Sequence, residues 1–180
     1  MASPEAILRA RLNAVPRGIS AWKQFEDVAT DALQHLLVPP LTDPLRQARS
    51  YSGIDRRDAI FPNRNHGVPN HWGHLLRELS ARMIVVEYKN YDSQEIGKDE
   101  VNQTRSYLTK PMGNLALMIT TKEPNHAAHL KRNTVYSEEG KVIVFLRVEH
   151  IKEMLYMKER GEDPSDLIMD AIERFYITWE

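Results

Sequence analysis

A carboxylate and an ammonium group stand two residues apart at the end of an apolar segment, Met83 to Asn90. The segment opens with four apolar residues, three of them β-branched, and it is too short for a core helix, so it predicts a buried strand. Because side chains alternate between the faces of a strand, Glu87 and Lys89 share one face. Burying both charges is costly unless they pair or act on a ligand. The pair is therefore either a structural ion pair at a strand terminus or part of a site that handles charge.

Two further polar motifs flank this strand in the sequence. Upstream, Asp58 leads into a short apolar run that would anchor the acid on a core strand, and Asp55 is the alternative acid. Downstream, Gln103 and Tyr107 lie four residues apart on a predicted helix, and therefore on one helical face. Packing against apolar neighbours is the alternative account of Tyr107.

The order acid, Glu-x-Lys, Gln-x-x-x-Tyr resembles the PD-(D/E)XK, or restriction-endonuclease-like, nuclease superfamily over residues 18–121. The resemblance implies a three-layer α/β fold in which the aspartate and the glutamate bind Mg²⁺ or Mn²⁺. It also implies that the glutamine and the tyrosine help to hold the substrate phosphate and the catalytic lysine. The site residues implied in this way are Asp58, Glu87, Lys89, Gln103 and Tyr107, with Asp58, Glu87 and the Tyr88 backbone carbonyl as metal ligands.

A glutamate on the first helix often reaches the metal site in this family, and Glu26 matches that pattern. It lies in a helix predicted over 21–37, at the edge of the apolar face. An ordinary carboxylate at the boundary of a buried face is the alternative interpretation.

Charge is distributed unevenly along the chain, although the formal net charge is only −1. Residues 46–82 contain seven arginines against three acids, and residues 138–180 contain eleven acids against six basic residues. The region around the candidate site is thus basic, and Arg56, Arg57 and Arg64 are the candidate DNA contacts. Ordinary solvated surface charge is the alternative explanation of these counts.

Strands that alternate with helices in the apolar pattern argue for an α/β layer fold with a mixed sheet and helices on both faces. A chain of 180 residues is long enough for a full hydrophobic core. We therefore expect a single domain over 1–180, with a nuclease-like core over about 18–148 and C-terminal helices over 149–180. These acidic C-terminal helices are the candidate contact surface for a second copy or a partner protein.

The chain has no cysteine, which excludes disulfides and thiolate metal sites. It also lacks an apolar signal core and any run approaching the ~20 apolar residues of a membrane span, so no membrane contact and a cytoplasmic location are expected. Histidines 66, 71 and 74 in the loop over 62–74 invite a zinc interpretation, but their spacing fits no common zinc motif. A solvated loop beside a substrate groove is the better interpretation.

Hydrolysis of a phosphodiester requires a nucleophile to approach an anion. Two carboxylates alone repel such a substrate, and they become useful when they hold Mg²⁺. The expected function is a Mg²⁺-dependent nuclease acting on DNA, and the resemblance implies restriction or anti-phage defence as its role. The alternatives are a structure-specific nuclease of repair or recombination and a non-catalytic nucleic-acid-binding or assembly module. The intact set of Asp58, Glu87 and Lys89 argues against the non-catalytic alternative.

Overall fold

Residues 2–51, 53 and 56–179 are described in the structure, which is a computed structural model. Asp55, the alternative acid of the sequence analysis, lies outside the described residues. No helix among the described residues is both long enough and apolar enough to cross a membrane.

The central sheet is mixed, and its strands follow the chain order β1-β2-β3-β4-β5 from one edge to the other. The strands are β1 Leu45–Arg49, β2 Arg56–Pro62, β3 Met83–Lys89, β4 Leu115–Thr120 and β5 Val142–Arg147. β1, β2 and β3 are antiparallel neighbours, whereas β3, β4 and β5 are parallel neighbours. Each parallel step needs a crossover connection, and one helix lies in each of them.

Helices cover both faces of this sheet. They are α1 Pro4–Ala14, α2 Trp22–Leu37, α3 His71–Glu78, α4 Lys98–Tyr107, α5 His126–Glu139, α6 Val148–Glu159 and α7 Ser165–Thr178, with a short 3-10 turn at Ile19–Ala21. One face packs against α1, α2, α3, α6 and α7, and the other face packs against α4 and α5. The predicted α/β class, with a mixed central sheet between helices, is therefore confirmed.

β3 is the middle strand, and its two faces belong to different cores. Ile84, Val86 and Tyr88 are buried on the α2 face, whereas Val85 is buried on the α4 face. The alternation of side chains puts Glu87 and Lys89 on the same face as Val85, beneath α4. Because β2 runs antiparallel to β3, the start of β2 lies at the same end of the sheet as the end of β3.

α2 is attached to this end of β3 by aromatic and polar contacts. The Phe25 ring meets the Tyr88 ring edge to face, with 6.0 Å between centroids. The Thr30 and Tyr88 hydroxyls hydrogen-bond at 2.9 Å, and the Thr30 hydroxyl lies 2.7 Å from the Glu26 carbonyl oxygen as a donor. This attachment fixes the position of Glu26 relative to β3.

Replacing Thr30 by valine should destabilise the fold more than replacing Tyr88 by phenylalanine. Thr30→Val leaves the buried Tyr88 hydroxyl without its partner, which costs about 1 to 3 kcal/mol. In Tyr88→Phe the Thr30 hydroxyl keeps the Glu26 carbonyl as acceptor, so we expect a loss of about 1 kcal/mol or less. Urea unfolding of both variants measures the difference, and an equal or smaller loss for Thr30→Val would contradict this account.

Candidate active site

Where the backbone pairing of β2 and β3 ends, the Asp58 carboxylate accepts a hydrogen bond from the backbone of β3. The backbone pairing of these strands ends at Ala59 and Val86, and beyond it the Tyr88 N–H donates to Asp58 Oδ2 at 3.0 Å. This bond holds the aspartate beside the end of β3, where Glu87 is its neighbour. Both carboxylates are withdrawn from water, since Asp58 is 8% exposed and Glu87 is 3% exposed.

Lys89 begins a continuous chain of hydrogen bonds that leads from β3 to α4. Its Nζ donates to Glu87 Oε1 at 2.8 Å and to Gln103 Oε1 at 2.7 Å. The Gln103 amide nitrogen in turn donates to the Tyr107 hydroxyl at 2.9 Å. The lysine is therefore held between an acceptor on its own strand and an acceptor on the helix above, and the structure brings Asp58, Glu87, Lys89, Gln103 and Tyr107 together.

Burial and mutual repulsion make the carboxyl pair hard to ionise. Burial and, to a smaller extent, the Asp58 charge raise the pKa of Glu87 to about 7 against the opposing effect of Lys89. Burial also raises the pKa of Asp58, and the Tyr88 N–H, Lys89 and Arg56 oppose that rise. Near neutral pH the pair thus carries less than its full double negative charge unless a further cation stabilises it.

Glu26 approaches the same carboxylates from α2. Its Oε1 accepts a hydrogen bond of 3.1 Å from Gln47 Nε2 and lies 3.5 Å from Lys23 Nζ. Burial and the Asp58 charge both raise the pKa of Glu26. It does not, however, converge on Asp58 and Glu87 as a third ligand, because only one His/Asp/Glu trio among the described residues has ligand atoms within 4.8 Å of one another, and it lies elsewhere.

Gln47 is a residue of this site that the sequence analysis missed. Its backbone adopts a φ of 51°, which is uncommon for a residue other than glycine and costs on the order of 1 kcal/mol. The side chain then bonds to Glu26, so a strained position in β1 orients a buried acid on α2. No local pattern marks Gln47, since a glutamine in a short polar strand is ordinary.

The three candidate DNA-binding arginines occupy different positions. Arg56 lies 3.8 Å from Asp58 Oδ1, and its guanidinium stacks over Trp22 at 5.0 Å. Arg57 is buried, with its guanidinium 5.7 Å from the Tyr107 ring centroid. Arg64 is exposed and follows the other end of β2, so the structure does not bring it to the carboxylates.

The donor set fits a hard divalent cation such as Mg²⁺ or Mn²⁺. The carboxyl groups supply oxygen ligands, which Mg²⁺ prefers, and the Tyr88 carbonyl lies between Glu87 and Lys89 on β3. Glu87 Oε2 and Glu26 Oε2 are buried and have no hydrogen-bond partner among the described residues. Buried acceptors without a donor are costly, and a cation held by Asp58 and Glu87 would satisfy the Glu87 oxygen.

The trio with converging ligand atoms is His71, Asp163 and Asp166, between α3 and the start of α7. His71 Nε2 and Asp166 Oδ1 are 2.6 Å apart, and Asp163 Oδ1 accepts from the backbone N–H and the hydroxyl of Ser165. The three groups are intermediate or exposed. A hydrogen bond between His71 and Asp166 and the contacts of Asp163 with Ser165 therefore account for this cluster, and the other loop histidines do not take part in it.

Comparison with known proteins finds similarity to part of a longer protein. No protein-family model matches the chain, and no solved structure matches it. The chain is similar, at 28% identity over 165 residues, to an 80.3 kDa protein of Escherichia coli (strain K12) that is attributed to transposon gamma-delta. The match covers 89% of this chain and 23% of that relative. The chain therefore spans about a quarter of the length of the curated relative it matches.

Removing the Asp58 charge should lower the pKa of Glu87. In Asp58→Asn the nearby negative charge is lost, so the Glu87 pKa should fall from about 7 toward its ordinary value. A carboxyl-detected NMR titration of the metal-free protein measures this shift, and Asp43→Asn, at an exposed acid, is the control. An unchanged Glu87 pKa in Asp58→Asn would mean that the two carboxyl groups do not interact.

The raised pKa of Glu87 determines in which direction the stability of the fold changes with pH. Glu87 has a folded pKa above its ordinary value of 4.5, so its protonated form favours folding. Its contribution to stability is fully present below about pH 4.5 and is lost as the pH rises through about 7. Because a bound divalent cation competes with the proton, the cation should restore stability above that range.

Proposed function

We propose that this chain is a divalent-cation-dependent nuclease that hydrolyses phosphodiester bonds in DNA and has a restriction-endonuclease-like arrangement of its sheet and helices. The observation that carries the proposal is the pair of buried carboxylates, Asp58 and Glu87, beside a lysine held by two acceptors. A structural ion pair needs one acid for one base, whereas here a second buried acid raises the pKa of the first. Such an arrangement is costly for folding and suits a site that takes up a cation.

Each side chain has a distinct part in this proposal. Asp58 and Glu87 would hold Mg²⁺ or Mn²⁺, with the Tyr88 carbonyl as a third ligand, and Glu26 would act from the adjacent position on α2. When bound, the ion polarises a phosphoryl oxygen and lowers the pKa of its bound water. Lys89 supplies a positive charge and N–H donors to orient water and to stabilise the charge that develops on phosphate oxygens.

Gln103 and Tyr107 serve as positioning residues for Lys89. The Gln103 oxygen accepts from Lys89, and its nitrogen donates to Tyr107, so the amide has a fixed orientation. The Lys89 ammonium group sits on a flexible four-carbon side chain, and it loses rotational freedom when its acceptor, the Gln103 amide, is itself fixed. The lysine is thus held in place before substrate arrives.

Two biological roles fit a nuclease of this kind. The family resemblance supports restriction or anti-phage defence. The similarity to a protein attributed to a transposon is the observation that favours the second role, a nuclease of recombination. Cleavage of linear or supercoiled duplex in preference to branched DNA supports the first role, and the opposite preference supports the second.

Plasmid cleavage in Mg²⁺ tests the proposed function directly. Glu87→Ala and Lys89→Ala should each lower the rate by at least about 100-fold, because the lost interactions act mainly in the transition state. A chelator should abolish cleavage by the wild-type protein. The matched controls are Asp92→Ala and Lys110→Ala, which remove an exposed acid and an exposed base and should cleave at the wild-type rate.

A binding measurement accompanies the cleavage assay. Mg²⁺ should raise the melting temperature of the wild-type protein at about pH 8, and it should not raise that of Glu87→Ala. Cleavage by Glu87→Ala at the wild-type rate, in preparations free of contaminating nuclease, would end the assignment at this site. Metal binding without cleavage of any DNA would favour the non-catalytic nucleic-acid-binding module instead.

The role of Gln103 has its own test on α4. Gln103→Ala removes one acceptor of Lys89, so we expect turnover to fall about 10-fold or more while the melting temperature stays near that of the wild type, since Gln103 is exposed. Asn102→Ala, one residue earlier on the helix, should change neither quantity. A Gln103→Ala protein with full turnover would remove Gln103 from the site.

A further inference from the structure

Arg57 is a buried cation that has no counter-ion among the described residues. It lies on β2 directly before Asp58, and the residue is 6% exposed. Among the described residues it makes no ion pair or hydrogen bond through its side chain, and its Nε is buried without a partner. Its neighbour Arg56 differs, since it lies within ion-pair distance of Asp58 and stacks on an exposed tryptophan.

An unpaired guanidinium in this position is costly for the protein. Arginine is rarely buried unless it is paired, because its charge must be desolvated. The stack on the Tyr107 ring at 5.7 Å compensates for part of the cost. Unlike Nε, the terminal nitrogens are not among the fully buried atoms without a partner, and the residue as a whole keeps 6% of its surface exposed.

The stack joins Arg57 to the hydrogen-bonded chain that holds Lys89. The Tyr107 ring supports the guanidinium, and the Tyr107 hydroxyl accepts from Gln103, which accepts from Lys89. Two cations are therefore held at the two ends of one chain of contacts. A polyanion that reaches Lys89 finds a second positive group already fixed nearby.

We infer that Arg57 binds a phosphate of the DNA backbone at the cleavage site, an inference that rests on the proposed function. A guanidinium offers planar paired N–H donors that match two phosphate oxygens, and a phosphate would supply the missing negative charge. Arg57 is thus a substrate-binding residue inside the site. Arg56, in contrast, neutralises Asp58 within the protein.

The salt dependence of DNA binding tests this inference. Binding of a short labelled duplex is measured at several salt concentrations, with Ca²⁺ in place of Mg²⁺ to suppress cutting. Arg57→Met keeps an apolar stem on Tyr107 and removes the charge, so it should weaken binding and lower the salt slope by about 0.9. Arg57→Lys should keep the slope because it keeps one charge. Arg77→Met, at an exposed arginine on α3, is the matched control and should bind as the wild type does.

Stability measurements separate substrate binding from a structural role. Removing an unpaired buried charge should leave the melting temperature of Arg57→Met equal to that of the wild type or raise it. An unchanged salt slope in Arg57→Met, with or without a lower melting temperature, would overturn the inference, and so would a wild-type protein that binds no DNA. If the wild type cleaves DNA and the slope is unchanged, the nuclease assignment stands without Arg57. If the slope falls but no DNA is cleaved in Mg²⁺, the phosphate contact of Arg57 stands, whereas the nuclease assignment and the cleavage site fail.

Discussion

The repulsion between the buried carboxyl groups of Asp58 and Glu87 is the constraint on which the rest of this site depends. Neither group has enough donors to stabilise a full negative charge in a place that water barely reaches. The Tyr88 N–H, Lys89 and Arg56 each lower the cost, and each comes from a strand that borders the pair. What remains of the cost appears in the raised pKa values of both acids.

The sheet makes this arrangement possible because its middle strand, β3, packs against a layer of helices on each face. Successive side chains of β3 point alternately toward α2 and α4. Tyr88 therefore contacts α2, whereas Lys89 is held by α4. The two strands that carry the acids are antiparallel neighbours, and their backbone pairing stops where the acids begin. A charged site can therefore form at the end of the largely apolar strand β3 without breaking the backbone pairing in the middle of the sheet.

Much of this arrangement follows from periodicities that act over a few residues. The shared face of Glu87 and Lys89 follows from the two-residue repeat of a strand, and the shared face of Gln103 and Tyr107 follows from the helical repeat. The apolar run after Asp58 favoured it as the buried acid, and the structure buries it on β2. These features were predictable because each depends on spacing within one element.

The features that were not predictable depend on contacts between elements. The positive φ of Gln47 arises where β1 meets α2, and nothing within β1 encodes its bond to Glu26. Arg64 is close to Arg57 in sequence, but the length of β2 separates the two in space.

The hydrogen bond between Lys89 and Gln103 makes the orientation of the Lys89 ammonium group on β3 depend on the position of α4. At 2.7 Å the bond is near its best length, and a displacement of the helix by about 1 Å would stretch it beyond the roughly 3.5 Å at which hydrogen bonding ends. Glu87 would then be the sole described acceptor of the ammonium group, and the lysine would turn toward its own strand. The orientation of this charge is therefore a sensitive reporter of where α4 sits on the sheet.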